Sequence, residues 1–484
     1  MNLTERVLKG VSWNTASRLL RQVFHIGIMV ILARLLSPKD FGLIGLAGAF
    51  TWFIPIFRDI GLNTAIVQSQ ELDNLKLSSV FWVQLLLSIF CTIITIILSP
   101  FAAIFFNERR LRSIVIAISF GFTLIGLGAL HEALLVKYLR FKAIAIRDIF
   151  ADLAGGVSGV VFAFLGFGVW ALVIQMNSSL LVRAILLWKL EKWRPYLKLS
   201  LKKIKPLIEF GLFKTLQRFI FVIKDKLDYF LIGKFLGAEA LGYYMIAFNF
   251  TRKPISQISM AILDVTFPAL SQLQKEPSRF RSAYLRIIKY ISMMAFPAFT
   301  GILIMAPEIV LTLYGKKWEI TIPLIRVLSI WGIMNMIAQP AGSVFFALGR
   351  AKMASKWEFA QAVIMISIIS IGVKWGILGI CWSWVISWII IFPINQYIAN
   401  RLLNMNFIEL ARNSKLGAQM TVCMIGVVSL LKFILNNLAT GTDKFVVLAI
   451  CVISGITIYL LMYILMEERS EIHRAKTYIL SIIK

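Results

Sequence analysis

The feature that most constrains this chain is a succession of apolar stretches, each near the roughly 20 residues a helix needs to cross a bilayer core. Fourteen such spans are expected, at about 11–36, 41–67, 78–106, 112–135, 148–166, 168–188, 207–236, 241–268, 286–313, 322–348, 357–374, 377–399, 416–437 and 445–466. Together they leave no room for a sizeable soluble domain. Each span must satisfy its own backbone hydrogen bonds inside lipid, so the fold class is all-α and polytopic. The first span runs on from Glu5, Arg6 and Lys9 without a small-residue cleavage site, so it reads as an uncleaved helix and not a signal peptide.

The formal charge is +27, with 51 Lys and Arg against 24 Asp and Glu. In a soluble chain that excess would point to nucleic acid. Here the basic residues sit between or inside apolar segments, and no nucleic-acid partner is expected. With the N-terminus on the cytoplasmic side, connections on that side collect 27 Lys and Arg and those on the other side 6. This is the expected asymmetry. The segment 189–205 alone carries Lys189, Lys192, Arg194, Lys198, Lys202, Lys203 and Lys205. Both termini are then cytoplasmic. One connection runs against the pattern: Arg109-Arg110-Leu111-Arg112 is assigned to the outside.

The chain also repeats itself at an interval of 200 residues. Ile31–Phe50 lies without gaps over Leu231–Phe250, matching Gly42 with Gly242, Ala47 with Ala247, Phe50 with Phe250 and Arg34 with Lys234. Six spans separate the copies, and an even number preserves orientation. The repeat is therefore parallel, with a pseudo-twofold axis along the membrane normal. The expected organisation is an N-terminal six-helix lobe (1–188), a basic cytoplasmic linker (189–206), a C-terminal six-helix lobe (207–399), and two further helices with a cytoplasmic tail (400–484). Two lobes so related are the scaffold of a rocking transporter, with substrate bound at their interface near the midplane.

Eighteen Lys and Arg fall inside the spans. A charge at mid-bilayer costs roughly 2.5–3.5 kcal/mol on insertion scales, so such residues face a wet cavity, pair with acids or snorkel. On the first span Asn14, Arg18, Arg21 and His25 lie within about 60° of one another on an ideal helix. On the seventh, Lys214, Arg218, Asp225 and Asp228 fall within about 80°. The repeat superposes Asn14 on Lys214, Arg18 on Arg218 and His25 on Asp225. Arg252 and Lys253 lie midway along the eighth span beside Pro254, and Arg58-Asp59 in the inner half of the second. Local ion pairing accounts equally well for Arg58 with Asp59 and for Lys224 and Lys226 with Asp225 and Asp228. Arg18, Arg21, Arg218 and Arg252 have no acid within one helical turn in sequence, which favours a cavity lining. Guanidinium forks suit phosphate oxygens bidentately.

His25 reads either as a proton switch or as a satisfied polar residue on that face. His131-Glu132 reads as interfacial, and His473 as solvated in the tail. The four cysteines fall in apolar stretches and read as buried free thiols. Three scattered histidines and dispersed cysteines give no metal spacing. There is no P-loop, Rossmann glycine run or Gly-x-Ser-x-Gly elbow, so a transporter without a cofactor is expected, not an enzyme. Gln175, Asn177, Ser178, Ser179 and Arg183 read either as sugar contacts or as helix–helix hydrogen bonds.

Several segments carry a family resemblance: Lys9-Gly-Val-Ser-Trp-Asn-Thr-Ala-Ser-Arg18, Leu35-Leu-Ser-Pro-Lys-Asp-Phe-Gly42, Phe57-Arg-Asp-Ile-Gly-Leu62, and Asp228 through Tyr243. In these the chain resembles the Wzx-type polysaccharide repeat-unit flippases of the multidrug/oligosaccharidyl-lipid/polysaccharide exporter superfamily, within them the colanic-acid and lipopolysaccharide exporter group. The resemblance implies a V-shaped pair of lobes in the bacterial cytoplasmic membrane. It implies transfer of an undecaprenyl-diphosphate-linked oligosaccharide from the inner to the outer leaflet for surface polysaccharide synthesis. Polysaccharide polymerase and glycosyltransferases are the implied partners. Ser17-Arg18 matches a Ser-Arg pair that related lipid flippases place in a cationic central cavity. The substrate-binding candidates are thus Asn14, Arg18, Arg21, Lys214, Arg218 and Arg252, and the coupling candidates His25, Asp59, Asp225 and Asp228. Two other readings stand beside this one: a multidrug or cation antiporter on the same scaffold, which wants a carboxylate-rich cavity, and a membrane-embedded glycan polymerase, which wants a large outside loop.

Overall fold

The computed structural model describes residues 21–58, 61–70, 72–200, 226–438 and 443–466. The described residues form helices and short turns, with no strand among them. Eight helical stretches among them are long and apolar enough to cross a bilayer. Their apolar side chains turn outward as well as inward. Val23, Ile97, Phe164 and Leu465 are among many large hydrophobics left exposed, the expected pattern for a surface bathed in lipid and not water.

The described residues fall into two compact units, divided between Met245 and Ile246. The first contains α1 (21–35), α2 (Pro38–Thr51), α3 (Ile54–Arg58), α4 (Leu62–Gln68), α5 (Asn74–Phe105), α6 (Leu111–Lys137), α7 (Phe141–Phe164), α8 (Val169–Leu190), α9 (226–235) and the start of α10 (Gly237–Gln272). α5 and α6 pack together, as do α7 and α8, and α6 also lies against α8. The Leu35-Leu-Ser-Pro-Lys-Asp motif proves to be a capping box. Ser37 Oγ accepts from the Asp40 amide, the Asp40 carboxylate accepts from the Ser37 amide at 2.9 Å, and Pro38 sits in the first turn, where it lacks nothing. The expected continuous span 41–67 is instead broken into α2, α3 and α4. Pro55 opens the short α3, and Gly61 precedes α4 with φ +69, a left-handed conformation that glycine adopts without strain.

The second unit contains the rest of α10, α11 (Pro277–Leu313), α12 (Thr321–Ala347), α13 (Ala351–Gly372), α14 (Gly376–Leu403), α15 (Phe407–Leu438) and α16 (Lys444–Met466). α13 and α14 are joined by one 3-10 turn, Val373–Trp375. α15 and α16 pack on α11 around Met305, Met424, Val428, Val447 and Cys451. Among the cysteines, Cys91, Cys381 and Cys451 are buried and free, but Cys423 is exposed, correcting the uniform burial expected of the four.

The unit boundary differs from the lobe boundary at 189–206. Part of the linker is fixed to the first unit. The Tyr196 amide donates to Ser78 Oγ at 3.0 Å, the Ser200 amide to Ser79 Oγ at 2.8 Å, and Trp82 Nε1 to the Tyr196 carbonyl at 2.7 Å. α9 joins the same unit: Tyr229 meets Trp52 edge-on at 4.9 Å, and Lys234 Nζ donates to the Phe105 carbonyl at 2.6 Å. The repeat itself supplies the closest approach. A Cβ on Gly42 would lie 1.6 Å from the Ala238 carbonyl oxygen, and a Cβ on Gly242 would lie 1.8 Å from the Pro38 carbonyl oxygen. Positions 38 and 42 therefore meet 238 and 242 reciprocally, the self-complementary contact a twofold axis imposes. Only a residue without a side chain lets the two backbones come so close.

Gly42→Ala and Gly242→Ala should each destabilise the protein, by roughly 1–3 kcal/mol for a side chain forced into a filled space. Gly426→Ala, where nothing lies within 4 Å, should not. Thermal unfolding midpoints of the three detergent-solubilised variants check this.

Candidate functional site

Among the described residues, the strongest concentration of charge within the spans lies in the first unit and centres on α7. Its sequence Ile146-Arg-Asp-Ile-Phe-Ala-Asp-Leu-Ala-Gly-Gly156 places Asp148 and Asp152 one turn apart, on a common face. A run of small residues follows. A Cβ on Gly155 would lie 2.8 Å from the Gln175 carbonyl of α8, and one on Gly156 would lie 2.9 Å from Ile28 of α1. The glycines thus draw α1 and α8 onto α7, and this brings the basic residues of both neighbours to the two aspartates.

Arg21 of α1 holds both acids. Its Nη1 donates to Asp148 Oδ2 and its Nε to Asp152 Oδ2, each at 2.7 Å. Arg183 of α8 lies 3.6 Å from both carboxylates. Arg147 is almost wholly buried and donates to Asp148 Oδ1 from Nε at 2.9 Å and Nη2 at 2.7 Å. It also lies 3.0 Å from Glu132 Oε1. His25 Nε2 lies 3.3 Å from Asp152 Oδ2. Among the described residues this network sets three arginines against three acids, with His25 at its edge. His25 is 47% exposed while Asp152 is 6% exposed, so the imidazole faces outward from a buried carboxylate. Two charges this close attract strongly where the dielectric is low. Each is also costly to leave alone there.

The expectation of Arg21 as a cavity cation without an acid partner is therefore corrected. Its acids come from a helix 127 and 131 residues away, beyond any search within one turn. The signal was present: two acids one turn apart in an apolar helix are themselves expensive and demand partners. It is obscured because the apolar run of the fifth span, 148–166, opens at Asp148 itself. The helix begins at Phe141, which places Asp152 about 17 Å along it.

Of the remaining candidates, the described ones, Arg252 and Asp228, lie apart from this network. Arg252 lies in the second unit, with its guanidinium 5.5 Å from the centroid of the Phe248 ring. Asp228 is buried in the first unit, where its carboxylate accepts from Tyr244 Oη and the Tyr229 amide. Lys226 nearby lies over the Trp52 ring at 4.4 Å. Asn14, Arg18, Asp59, Lys214, Arg218 and Asp225 lie outside the described residues. In the α8 polar cluster, Asn177 Nδ2 donates to the Ala117 carbonyl of α6 at 3.0 Å, which is helix–helix bonding. His131 is fully buried: Trp188 lies tilted against it at 4.8 Å, Trp193 meets it edge-on at 5.8 Å, and Phe81 closes the cage. Among the described residues no group of three His, Cys, Asp or Glu could hold a metal ion.

A separate intramembrane pair sits in the second unit. Lys432 Nζ of α15 donates to Glu308 Oε2 of α11 and to the Ile304 carbonyl, both at 2.9 Å. This joins α15 to α11.

Comparison with known proteins adds a family and a fold. The family described as "Polysaccharide biosynthesis protein" matches residues 31–323, more than half of the chain. The chain is 24% identical to the teichuronic acid biosynthesis protein TuaB of Bacillus subtilis (strain 168), over 84% of each chain. It is 26% identical to the lipopolysaccharide biosynthesis protein WzxC of Escherichia coli (strain K12), over 77% of this chain and 76% of that one. Among solved structures, the lipid II flippase MurJ in an inward closed conformation superposes with a TM-score of 0.71. It covers 93% of this chain and 97% of its own, at 16% identity.

Arg21→Ala should leave Asp148 and Asp152 undercompensated and destabilise the protein by about 3 kcal/mol, the lower end of the range for breaking a buried pair. Adding Asp152→Asn should recover part of that loss through coupling of about 0.5–3 kcal/mol. A double-mutant cycle on unfolding midpoints measures it.

Proposed function

The chain belongs to the polysaccharide biosynthesis protein family, and on that premise we propose that it is a flippase for a lipid-linked oligosaccharide. It carries a polyprenyl-diphosphate-linked repeat unit from the inner to the outer leaflet of the bacterial cytoplasmic membrane by alternating access. The observation that carries this reading is the family match, which lies on an all-helical membrane fold shared nearly end to end with a lipid II flippase. The relatives' printed roles in making surface polysaccharides fit a substrate of that class.

The proposed division of labour follows from charge. The diphosphate is met by Arg18 and Arg218, with Arg252, Lys214 and Asn14 completing the cationic surface. Arg21, held at two points by Asp148 and Asp152, fixes the first span in register and contributes field, not a free charge. His25 beside Asp152 is the proposed coupling group. A proton on the imidazole adds a positive charge to a network that is otherwise balanced, and its loss removes it. Asp225, Asp228 and Asp59 are retained as further coupling candidates. The inside-negative potential would assist outward passage of an anionic head group, at about 2.3 kcal/mol per charge per 100 mV. Both termini are placed in the cytoplasm by the basic connections, and the lobes divide at the 189–206 linker. Polymerase and glycosyltransferases are proposed as partners in the same biosynthesis. A cation antiporter would need carboxylates in excess, and Asp148 and Asp152 are matched by arginines.

Arg18→Ala and Arg218→Ala should abolish surface polysaccharide, and lipid-linked repeat units should accumulate in the inner leaflet while protein level and membrane insertion are unchanged. The assay is polysaccharide staining and lipid extraction in a bacterium that depends on this chain for export. Normal surface polymer in both variants overturns the assignment.

A further inference from the structure

The Arg109-Arg110-Leu111-Arg112 connection remains unexplained by topology, since basic residues on the outer side run against the usual bias. In the structure this turn meets two others at one end of the first unit. Asp40 of α2, Arg110 and Ser113 at the start of α6, and Gly166, Gly168 and Trp170 around the α7–α8 turn line a polar cavity of about 370 Å³. Lys39 and Glu108 tie two of the turns together at 3.1 Å. Asp40 uses Oδ2 to cap Ser37, and its Oδ1 lies toward Gly168. Arg110 is exposed, with Arg109 and Arg112 exposed beside it.

A second cavity of about 680 Å³ adjoins the first and shares Ser113 and Trp170 with it. It runs between α6 and α8 and is lined mainly by apolar side chains, among them Ile116, Phe120, Leu124, Ile174 and Leu181. From Ser113 to Leu124 is a rise of about 16 Å, half of a hydrocarbon core of roughly 30 Å. The groove therefore has the depth of a single leaflet. Trp170, 37% exposed at the junction, stands where amphipathic aromatic rings gather at membrane interfaces.

The geometry points to a binding site for one phospholipid with a zwitterionic, primary-ammonium head, phosphatidylethanolamine. The head lies in the polar cavity and one acyl chain in the groove. The argument is charge complementarity. The polar cavity holds one guanidinium and one carboxylate, so it matches a head that carries one phosphate and one ammonium. Arg110 donates to the phosphate, and the Asp40 carboxylate accepts from the ammonium. A purely anionic head would place a charge against Asp40, and a quaternary ammonium could donate no hydrogen bond to it. That the lipid belongs to the outer leaflet rests on the orientation proposed above. The site itself does not.

The test uses the full-length protein, delipidated in detergent and titrated with phosphatidylethanolamine, phosphatidylcholine or phosphatidylglycerol, and read by native mass spectrometry and unfolding midpoint. Phosphatidylethanolamine should bind about tenfold tighter than either of the others and raise the midpoint. Arg110→Ala and Leu124→Trp should each remove the tight binding. Asp40→Asn, which keeps an acceptor for the Ser37 cap, should remove the preference for ethanolamine over choline while the protein stays folded. Equal or better binding of phosphatidylglycerol or of a polyprenyl diphosphate, or tight binding that survives both Arg110→Ala and Leu124→Trp, overturns the proposal. Thiol labelling of single cysteines placed at positions 107 and 139 in intact cells reports the orientation separately. An inverted result corrects the leaflet and leaves the lipid specificity standing on its own measurement.

Discussion

Charge brought into hydrocarbon must be neutralised, and most of what positions the polar chemistry of this protein follows from that requirement. In water Arg21 would need no partner. At membrane depth it takes two, Asp148 and Asp152. Satisfying them fixes where α1 lies on α7, and Arg183 of α8 closes on the same carboxylates. The glycine run at 155–159 makes the approach sterically available, and the ion pairs make it specific. The same rule operates in the second unit with a smaller set, where Lys432 reaches across to Glu308 and the Ile304 carbonyl. A buried pair of this kind contributes little net stability over an apolar pair of the same volume. It does penalise every arrangement that leaves one partner bare, and so selects one helix packing among several that would bury similar apolar surface.

Helix positions were legible in the sequence because length and hydropathy decide them. The described helices from α5 to α8 and from α10 to α16 lie where the apolar runs lie, differing at their ends by a few residues up to about nine. What escaped was local chemistry inside a run. Pro55 and Gly61 break the second span, although their neighbours are apolar enough to read as continuous. The candidate site was half legible. The polar stripe of Arg21 and His25 could be read from helical spacing. Its acids could not, because they belong to another helix and pairing across the fold leaves no periodic trace in one sequence. Asp148 was further hidden by a boundary drawn at its own position. The surroundings of His131 were not legible either: Trp188 and Trp193 enclose it, and those tryptophans come from α8 and from the linker that follows.

The linker shows how composition can conceal structure. Seven lysines and arginines between 189 and 205 read as a basic linker. Yet Trp193, Tyr196 and Ser200 hold its first half to the end of α5 by backbone and indole hydrogen bonds, and Arg194 lies over the Trp188 ring at 5.2 Å. The aromatic and polar residues among the basic ones fix the segment to the protein.

The glycine pair at 42 and 242 has a consequence for how the two halves of such a chain can diverge. Halves descended from one ancestor drift apart at most positions, because each packs against its own neighbours. A contact in which each half presents the same small residue to the carbonyl of the other allows no such independence. A bulkier residue in either copy closes a gap that both occupy, and no change in the other copy reopens it. The oldest shared letters in the two halves should therefore be found where they touch and not where they are most apolar.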